Sequence, residues 1–280
     1  MDHVASSSFW ANPPLSGIEG IETFVTTRYG GFSASPYTSF NCSPFVLDPD
    51  AEMNLLLLAD RLHVPLSKII IPHQVHKSRV FCVDSSFMSW SAARRRANLE
   101  GVDALVTDIP DCFLCVTTAD CLPVFFYDPV QRAVGMAHSG WRSTVEHIAT
   151  VVLEAMNRYY KTNPETVRVA FGPCISSRFF EVGEEVYEAF RSEGFPMDRI
   201  ALHCMRVDQE GSTYFRWHIS LQEAVASDLR KAGVPDGQIL RCPVCSYSDT
   251  SLYSVRRQGL QTGRTLNGIR LLSTGMSGGQ

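Results

Sequence analysis

Two runs decide the fold: Thr-Thr-Ala-Asp-Cys-Leu-Pro-Val at 117–124 and Val-Gly-Met-Ala-His-Ser-Gly-Trp-Arg at 134–142. Between them stand Phe125, Phe126 and Tyr127, then the turn-starting pair Asp128 and Pro129. Residues 124–127 and 132–137 read as the two strands of a β-hairpin, with 128–131 as its loop. If Tyr127 stands opposite Arg132, Cys121 stands opposite His138, and directly opposed Cβ atoms lie about 4.5–5.5 Å apart on one face. That separation suits two ligands closing on one metal, with bonds of about 2.3 Å to sulfur and about 2.0 Å to nitrogen. It equally suits a thiol and the base that deprotonates it. Both readings depend on register, because a slip of one residue turns either side chain to the other face. Pro123, which has no N–H, is a second threat to the ladder.

Outward from the hairpin, strands and helices mix without a regular βαβ alternation, which predicts an α+β fold. Residues 68–71, 79–83, 104–107, 113–118 and 168–171 read as strands. A first helix is expected near Asp48, with Asp48 as N-cap and Pro49 at the first helical position, carrying Leu55, Leu58, Ala59 and Leu62 at helical spacing. A second follows Trp141 and Arg142. Its Ser143 and Glu146 make a capping-box pattern, and Ile148, Val152 and Tyr159 continue one apolar face. Val182, Val186 and Phe190 mark a third helix, and Ser220 with Glu223 opens a fourth that ends near Gly233. No internal repeat or low-complexity linker divides the chain, so one domain is expected, with residues 1–20 as a loosely held lead-in.

Composition narrows the function. The 280 residues are 45% hydrophobic and 19% charged, ordinary for a packed globular protein. A net charge of −4 gives no sign of a nucleic-acid or membrane surface. The first residues lack a basic region followed by an apolar core, and no uncharged apolar stretch approaches the ~20 residues that span a bilayer. Nine cysteines, an odd number set in apolar runs, favour free thiols and a cytoplasmic protein. Neither Gly-x-Gly-x-x-Gly nor a Walker-type phosphate loop is present.

Cys121 and His138 have a plain alternative, a buried core thiol beside a hydrogen-bonded core histidine, since cysteine is among the most buried residue types. Their neighbours argue for a site. Asp120 and the run Ser139, Gly140, Trp141 and Arg142 put polar groups at the end of a buried hairpin, where each unpartnered one costs ~1–3 kcal/mol. His73 and His76 form His-x-x-His; on a strand they face opposite ways, so only one enters a site. Cys112 with Cys115 and Cys242 with Cys245 suggest a four-thiolate zinc site, but the pairs are far apart in sequence and core cysteines are the favoured reading. Arg256, Arg257 and Arg264 form a cluster suited either to a phosphate or to a solvated strand edge. Arg94, Arg95 and Arg96 read as an exposed loop.

Several further stretches point to a family: Thr-Thr-Arg-Tyr-Gly-Gly (26–31), Pro-His-Gln-Val-His (72–76), Val-Asp-Ala-Leu-Val-Thr (102–107), Phe-Gly-Pro-Cys-Ile (171–175), Phe-Glu-Val-Gly-Glu-Glu-Val (180–186) and Tyr-Ser-Val-Arg-Arg with Thr-Gly-Arg (253–264). With Thr-Ala-Asp-Cys-Leu-Pro-Val (118–124) and His-Ser-Gly-Trp-Arg (138–142), the chain resembles the laccase-domain family, also described as YfiH/YlmD-like or multicopper polyphenol oxidase. The resemblance runs in order over nearly the whole chain and implies a family domain at 21–274. It implies a single-domain α+β fold of mixed and antiparallel sheets packed together and flanked by helices. It implies metal ligands at His76, Cys121 and His138. It further implies purine nucleoside phosphorylase activity on inosine, adenosine and methylthioadenosine, with adenosine deamination. Polyphenol oxidation and a peptidoglycan-editing role are attached to other members. Lys77, Ser139, Leu55 and Ser220 depart from the family pattern without touching a ligand, and Lys77 bears on substrate preference.

Three protein ligands with an open fourth position fit catalytic zinc, which lowers the pKa of bound water to about 7, as attack on C6 of adenine requires. Phosphorolysis needs an anion held near the ribose C1′, for which Arg142 is the first candidate and Arg28 the second. Asp120 is placed to orient a ligand or to act as a general acid or base. The partners are then a purine nucleoside and phosphate. Copper is the competing cofactor, since two histidines and a thiolate also fit a mononuclear copper site. A multicopper laccase cluster consumes many histidines, usually as His-x-His, and this chain has eight histidines and no such pair. A metal-free Cys-His hydrolase and a non-enzymatic binding module are the remaining classes.

Overall fold

The computed structural model describes residues 7–207 and 210–273. A six-stranded sheet runs in the order β12 (Ile239–Leu240), β8 (Arg168–Phe171), β6 (Leu122–Asp128), β7 (Ala133–Ser139), β4 (Ala104–Thr107) and β3 (Val80–Cys82). A four-stranded sheet has the order β1 (Ile21–Val25), β13 (Thr265–Leu271), β5 (Phe113–Thr118) and β2 (Ile69–Ile70). A third sheet places β11 (Thr213–Ile219) between β10 (Ala201–Val207) and β9 (Glu181–Val182). The helices are α1 (Ala51–Arg61), α2 (Ser85–Ser89), α3 (Ala92–Asn98), α4 (Trp141–Val145), α5 (Ile148–Tyr160), α6 (Glu184–Ser192), α7 (Met197–Ile200), α8 (Leu221–Lys231) and α9 (Val255–Gln258). The expected α+β fold of packed, mixed sheets is what forms.

Alternation along the strands builds the layers. Val124 and Phe126 of β6 pack with Val152 and Met156 of α5 and Val225 and Leu229 of α8. Phe125 and Tyr127, on the opposite face, pack with Leu114 and Val116 of β5 and Ile269 of β13. Phe113 and Cys115 then turn outward against Leu55 and Leu58 of α1. The two sheets are therefore stacked face to face with helices outside both. This explains why β5, β6 and β7 are apolar at nearly every position and buried along their whole length. Each large side chain so buried contributes about 1.5–3 kcal/mol.

The central hairpin forms with a different register. Tyr127 pairs with Val134 and Pro123 with His138, a displacement of two residues from the expected ladder. The cause is Asp128. Its Oδ1 accepts from the N–H of Val130 (2.9 Å) and of Gln131 (3.0 Å), and Arg132 takes a φ of 51° before β7 begins. The loop is thus 129–132, and Asp128 belongs to the ladder opposite Ala133. A two-residue displacement preserves parity, so Cys121 and His138 keep the same face.

Other boundaries move for similar local reasons. The first helix begins at Ala51, not Asp48, because Asp48 is occupied by Ser33 Oγ (2.6 Å), Asn41 Nδ2 (2.7 Å) and the Asp50 N–H (3.1 Å). The capping box at Ser143 is not made: α4 is a single short helix entered from Gly140, and His147 at φ 56° separates it from α5. Ser220 does accept from the Glu223 N–H (3.2 Å) and opens α8. Arg94, Arg95 and Arg96 lie in α3, a helix capped by Ser91, rather than in a loop. Part of the lead-in is held: Phe9 bridges Thr26, the Trp10 N–H donates to Val25 O (2.8 Å), and Leu15 is buried. Residues 1–6 and the expected domain end at 274 lie outside the described residues.

Candidate metal centre and substrate cavity

The site lies where the chain passes from one sheet to the other. β5 ends at Thr118 in the four-stranded sheet, and β6 begins at Leu122 in the six-stranded one. Ala119, Asp120 and Cys121 make the crossing, with Asp120 at φ 98°. That backbone is held from several sides. The Asp120 carbonyl accepts from the Ile175 N–H (2.9 Å), Oδ1 from Ser246 Oγ (2.7 Å) and Oδ2 from the Arg256 N–H (2.7 Å).

His138, one residue from the end of β7, is almost wholly buried. Its Nδ1 bonds to Asp103 Oδ1 at 2.8 Å, which leaves Nε2 to face Cys121. Asp103, with no solvent exposure, also accepts from three successive backbone N–H groups: Val75 (3.0 Å), His76 (2.9 Å) and Lys77 (3.0 Å). One carboxylate therefore sets both the imidazole of His138 and the loop that carries His76. Gln74 anchors the same loop to β5, its Nε2 donating to Thr117 O (2.8 Å) and its Oε1 accepting from the Thr117 N–H (2.7 Å). His76 itself sits at φ 61°.

These supports bring His76, Cys121 and His138 together. His76 Nε2 lies 3.8 Å from Cys121 Sγ, the two imidazoles meet edge to face with centroids 4.7 Å apart, and the three ligand atoms lie within 4.8 Å of one another. Ligands on a tetrahedral ion with zinc-like bonds stand about 3.5 Å apart, so the spacing fits. Gly140 makes the cradle possible. A Cβ there would lie 2.8 Å from His76 Cδ2 and 3.0 Å from Cys121 Sγ. Burial alone would push the Cys121 thiol up, but His138 and His76 outweigh it and bring it down to about 6, the state a metal ligand or a nucleophile needs. Burial pulls His138 down, and the Cys121 thiolate and Asp103 raise it overall. Among the described residues this is the only cluster of three or more metal-ligating side chains. Cys112, Cys115, Cys242 and Cys245 do not assemble into one.

A cavity of about 560 Å³ opens onto the His76, Cys121 and His138 side chains, a volume within the range of small-molecule sites. His73 lines it but is engaged elsewhere, bonded to Glu100 (2.6 Å) and stacked on Phe45. Of Arg142 and Arg28, the first and second candidates for holding phosphate, neither lines it. Arg142 is exposed in α4 and lies over the Trp141 ring at 4.2 Å. Arg28 donates Nε to Thr38 O (3.0 Å) and faces Tyr253. The cations that do line the cavity are Arg256 and Arg264, from the cluster near the C-terminus. Arg256 donates to Phe179 O (3.1 Å) and Glu181 O (2.8 Å); Arg264 donates to Gly263 O (3.0 Å). Asp103, Gln74 and Ser246 are the residues that motif reading left out of the site.

The fold and site define a laccase-domain protein, and comparison with known proteins agrees. The family model for the multi-copper polyphenol oxidoreductase laccase matches residues 22–272, so the chain belongs to that family. It is 39% identical to a purine nucleoside phosphorylase of Bacteroides thetaiotaomicron over 92% of this chain and 94% of that one. It is 38% identical to adenosine deaminase RL5 of an unknown prokaryotic organism, over 90% and 94% of the two chains. Among solved structures, YlmD from Geobacillus stearothermophilus superposes with a TM-score of 0.82 at 28% identity, covering 95% of this chain and 99% of that one. Among the described residues no helix is long and apolar enough to cross a membrane.

Proposed function

We propose that the chain is a zinc-dependent purine nucleoside phosphorylase that also deaminates adenosine at the same site. The observation that carries this reading is the convergence of His76, Cys121 and His138 on a cavity that also presents two arginines. Bound by those three side chains, zinc would supply Lewis acidity at the cavity floor. The chain's own residues do the rest. Asp103 fixes the His138 tautomer so that Nε2 is the ligating atom. Arg264 and Arg256, whose guanidinium groups meet carbonyl oxygens rather than carboxylates, hold the phosphate. Asp120 has both oxygens engaged by Ser246 and the Arg256 backbone, so it acts by positioning Arg256 rather than as a general acid or base.

A second reading has one observation in its favour: Cys121, His138 and Asp103 line up as a thiol, a base and the base's orienting carboxylate. It gives His76, only 3.8 Å from the sulfur, no task. Turnover of inosine and adenosine with and without phosphate, alongside metal content, separates the two. Phosphorolysis of inosine is expected, lost in Cys121→Ala together with zinc. Arg264→Met should raise KM for phosphate at least about tenfold, roughly 1.4 kcal/mol of binding, and Arg142→Met should not. Metal-free protein that hydrolyses nucleosides without phosphate would overturn the proposal.

A further inference from the structure

A second cavity of about 520 Å³ adjoins the first, and Phe45 and His73, stacked with centroids 4.6 Å apart, line both. Its wall is otherwise almost entirely apolar, with Leu55, Leu66, Ile70 and Trp90 prominent. The exceptions are Ser67 and two arginines of α3. Arg95 and Arg96 line the cavity together; Arg96 is exposed, and Arg95 is the one of the helix's three arginines partly withdrawn from water. Arg95 is half-buried. Its Nη1 donates to Ser67 O (2.9 Å), its Nη2 to Met88 O, and its Nε has no partner. Its guanidinium lies 5.2 Å from the Phe87 ring centroid. A cation partly withdrawn from water, met by two carbonyl dipoles and an aromatic face, has no carboxylate partner among the described residues.

We propose that this cavity is a binding site for a small amphiphilic carboxylate. The apolar body of the acid lies against Leu66, Ile70 and Trp90, and its carboxylate meets the Arg95 and Arg96 side chains. The lining excludes a polar nucleoside, which would find few partners for its hydroxyl and base edges. It equally disfavours a neutral hydrocarbon, which would leave Arg95 without an anionic partner. Because Phe45 and His73 are shared, an occupant rests directly against the wall of the substrate cavity.

Octanoate is the probe, titrated calorimetrically into the full chain. One molecule per chain is expected, with a change in Trp90 fluorescence that Trp90→Phe removes. Octan-1-ol should bind at least about tenfold more weakly, and Arg95→Met should weaken octanoate by a similar factor. If Arg95→Met does not fold, Leu66→Trp decides, since it fills the cavity from a half-exposed position and should abolish binding. Octanoate should still bind to His76→Ala, which separates this site from carboxylate ligation of a metal. No saturable binding, equal affinity for octan-1-ol, full affinity in Leu66→Trp, or loss of binding in His76→Ala would each overturn the proposal.

Discussion

Replacing Asp103 by asparagine keeps the shape of the side chain and changes what it can accept. In the native fold Oδ2 accepts from Val75 and Lys77, and Oδ1 from His76 and His138. Whichever way the amide is turned, its NH2 meets two of those four donors, so two hydrogen bonds are lost. Bonds to a charged group are worth about 1.5–3 kcal/mol each, which sets the expected loss at about 3–6 kcal/mol. That is a large share of the roughly 5–15 kcal/mol by which domains are stable. The assay is urea unfolding of metal-free protein at pH 7, with the slope compared to check that the same transition is measured. Zn2+ affinity, read by competition with a chelator, should fall about 10–100-fold, as for other groups that orient a metal-binding histidine. The pH dependence adds a second check. Burial pushes the Asp103 carboxyl up, but His138 and the loop N–H groups outweigh it and hold it below its ordinary 3.8. A depressed acid stabilises the fold above its unfolded pKa and loses that contribution as pH falls through the folded one. The gap between wild type and variant should therefore persist above about pH 4 and close below it. A variant within about 0.5 kcal/mol of wild type at pH 7 would refute the assignment of Asp103 as the organiser of the site.

Gly140→Ala places a methyl 2.8 Å from His76 Cδ2 and 3.0 Å from Cys121 Sγ, so the two side chains must part. Zn2+ binding should be lost at a stability cost of about 1–3 kcal/mol, and an unchanged zinc stoichiometry would contradict the close approach. In metal-free protein Cys121 should be alkylated by iodoacetamide with a midpoint of about 6. Zinc should protect it, and a midpoint at the ordinary thiol value of about 8.5 would speak against the paired imidazoles. Asn54, fully buried, donates to Ser33 Oγ, Ser39 O and Asn41 O and accepts from the Phe32 N–H. Asn54→Ala should lower stability by about 2–4 kcal/mol in urea unfolding, and a loss below about 1 kcal/mol would mean that the loop at 31–41 is held by other contacts.

The hairpin, its apolar strands and the Cys121–His138 pair were legible because each rests on local alternation. The register was not. It depends on how the Asp128 carboxylate bonds to two backbone N–H groups, which an Asp-Pro pair does not announce. His76 escaped a direct reading because it sits on a loop at positive φ, where neither helical nor strand spacing applies. Only the family resemblance separated it from His73. Asp103 did carry a signal. A carboxylate at the head of the run Val102 to Thr107 can be buried only if several donors meet it. Arg142 illustrates the reverse error: adjacency to His138 in sequence placed it beside the ligands, yet α4 sets it over Trp141. The guanidinium groups that reach the cavity come from residues more than a hundred positions away from His138.

The crossing at residues 119–121 has a consequence for how the molecule holds together. His138 is borne by the six-stranded sheet, Cys121 by the link between sheets, and His76 by a loop pinned to β5 on one side and to Asp103 on the other. An ion on these three side chains would act as a rivet through the seam of the sandwich, able to form only once both halves have closed. Its occupancy would then be visible as heat resistance. A ligand that binds the folded form alone, at a thousand times its Kd, adds about 4 kcal/mol, so a chelator should lower Tm by several degrees before any substrate is added.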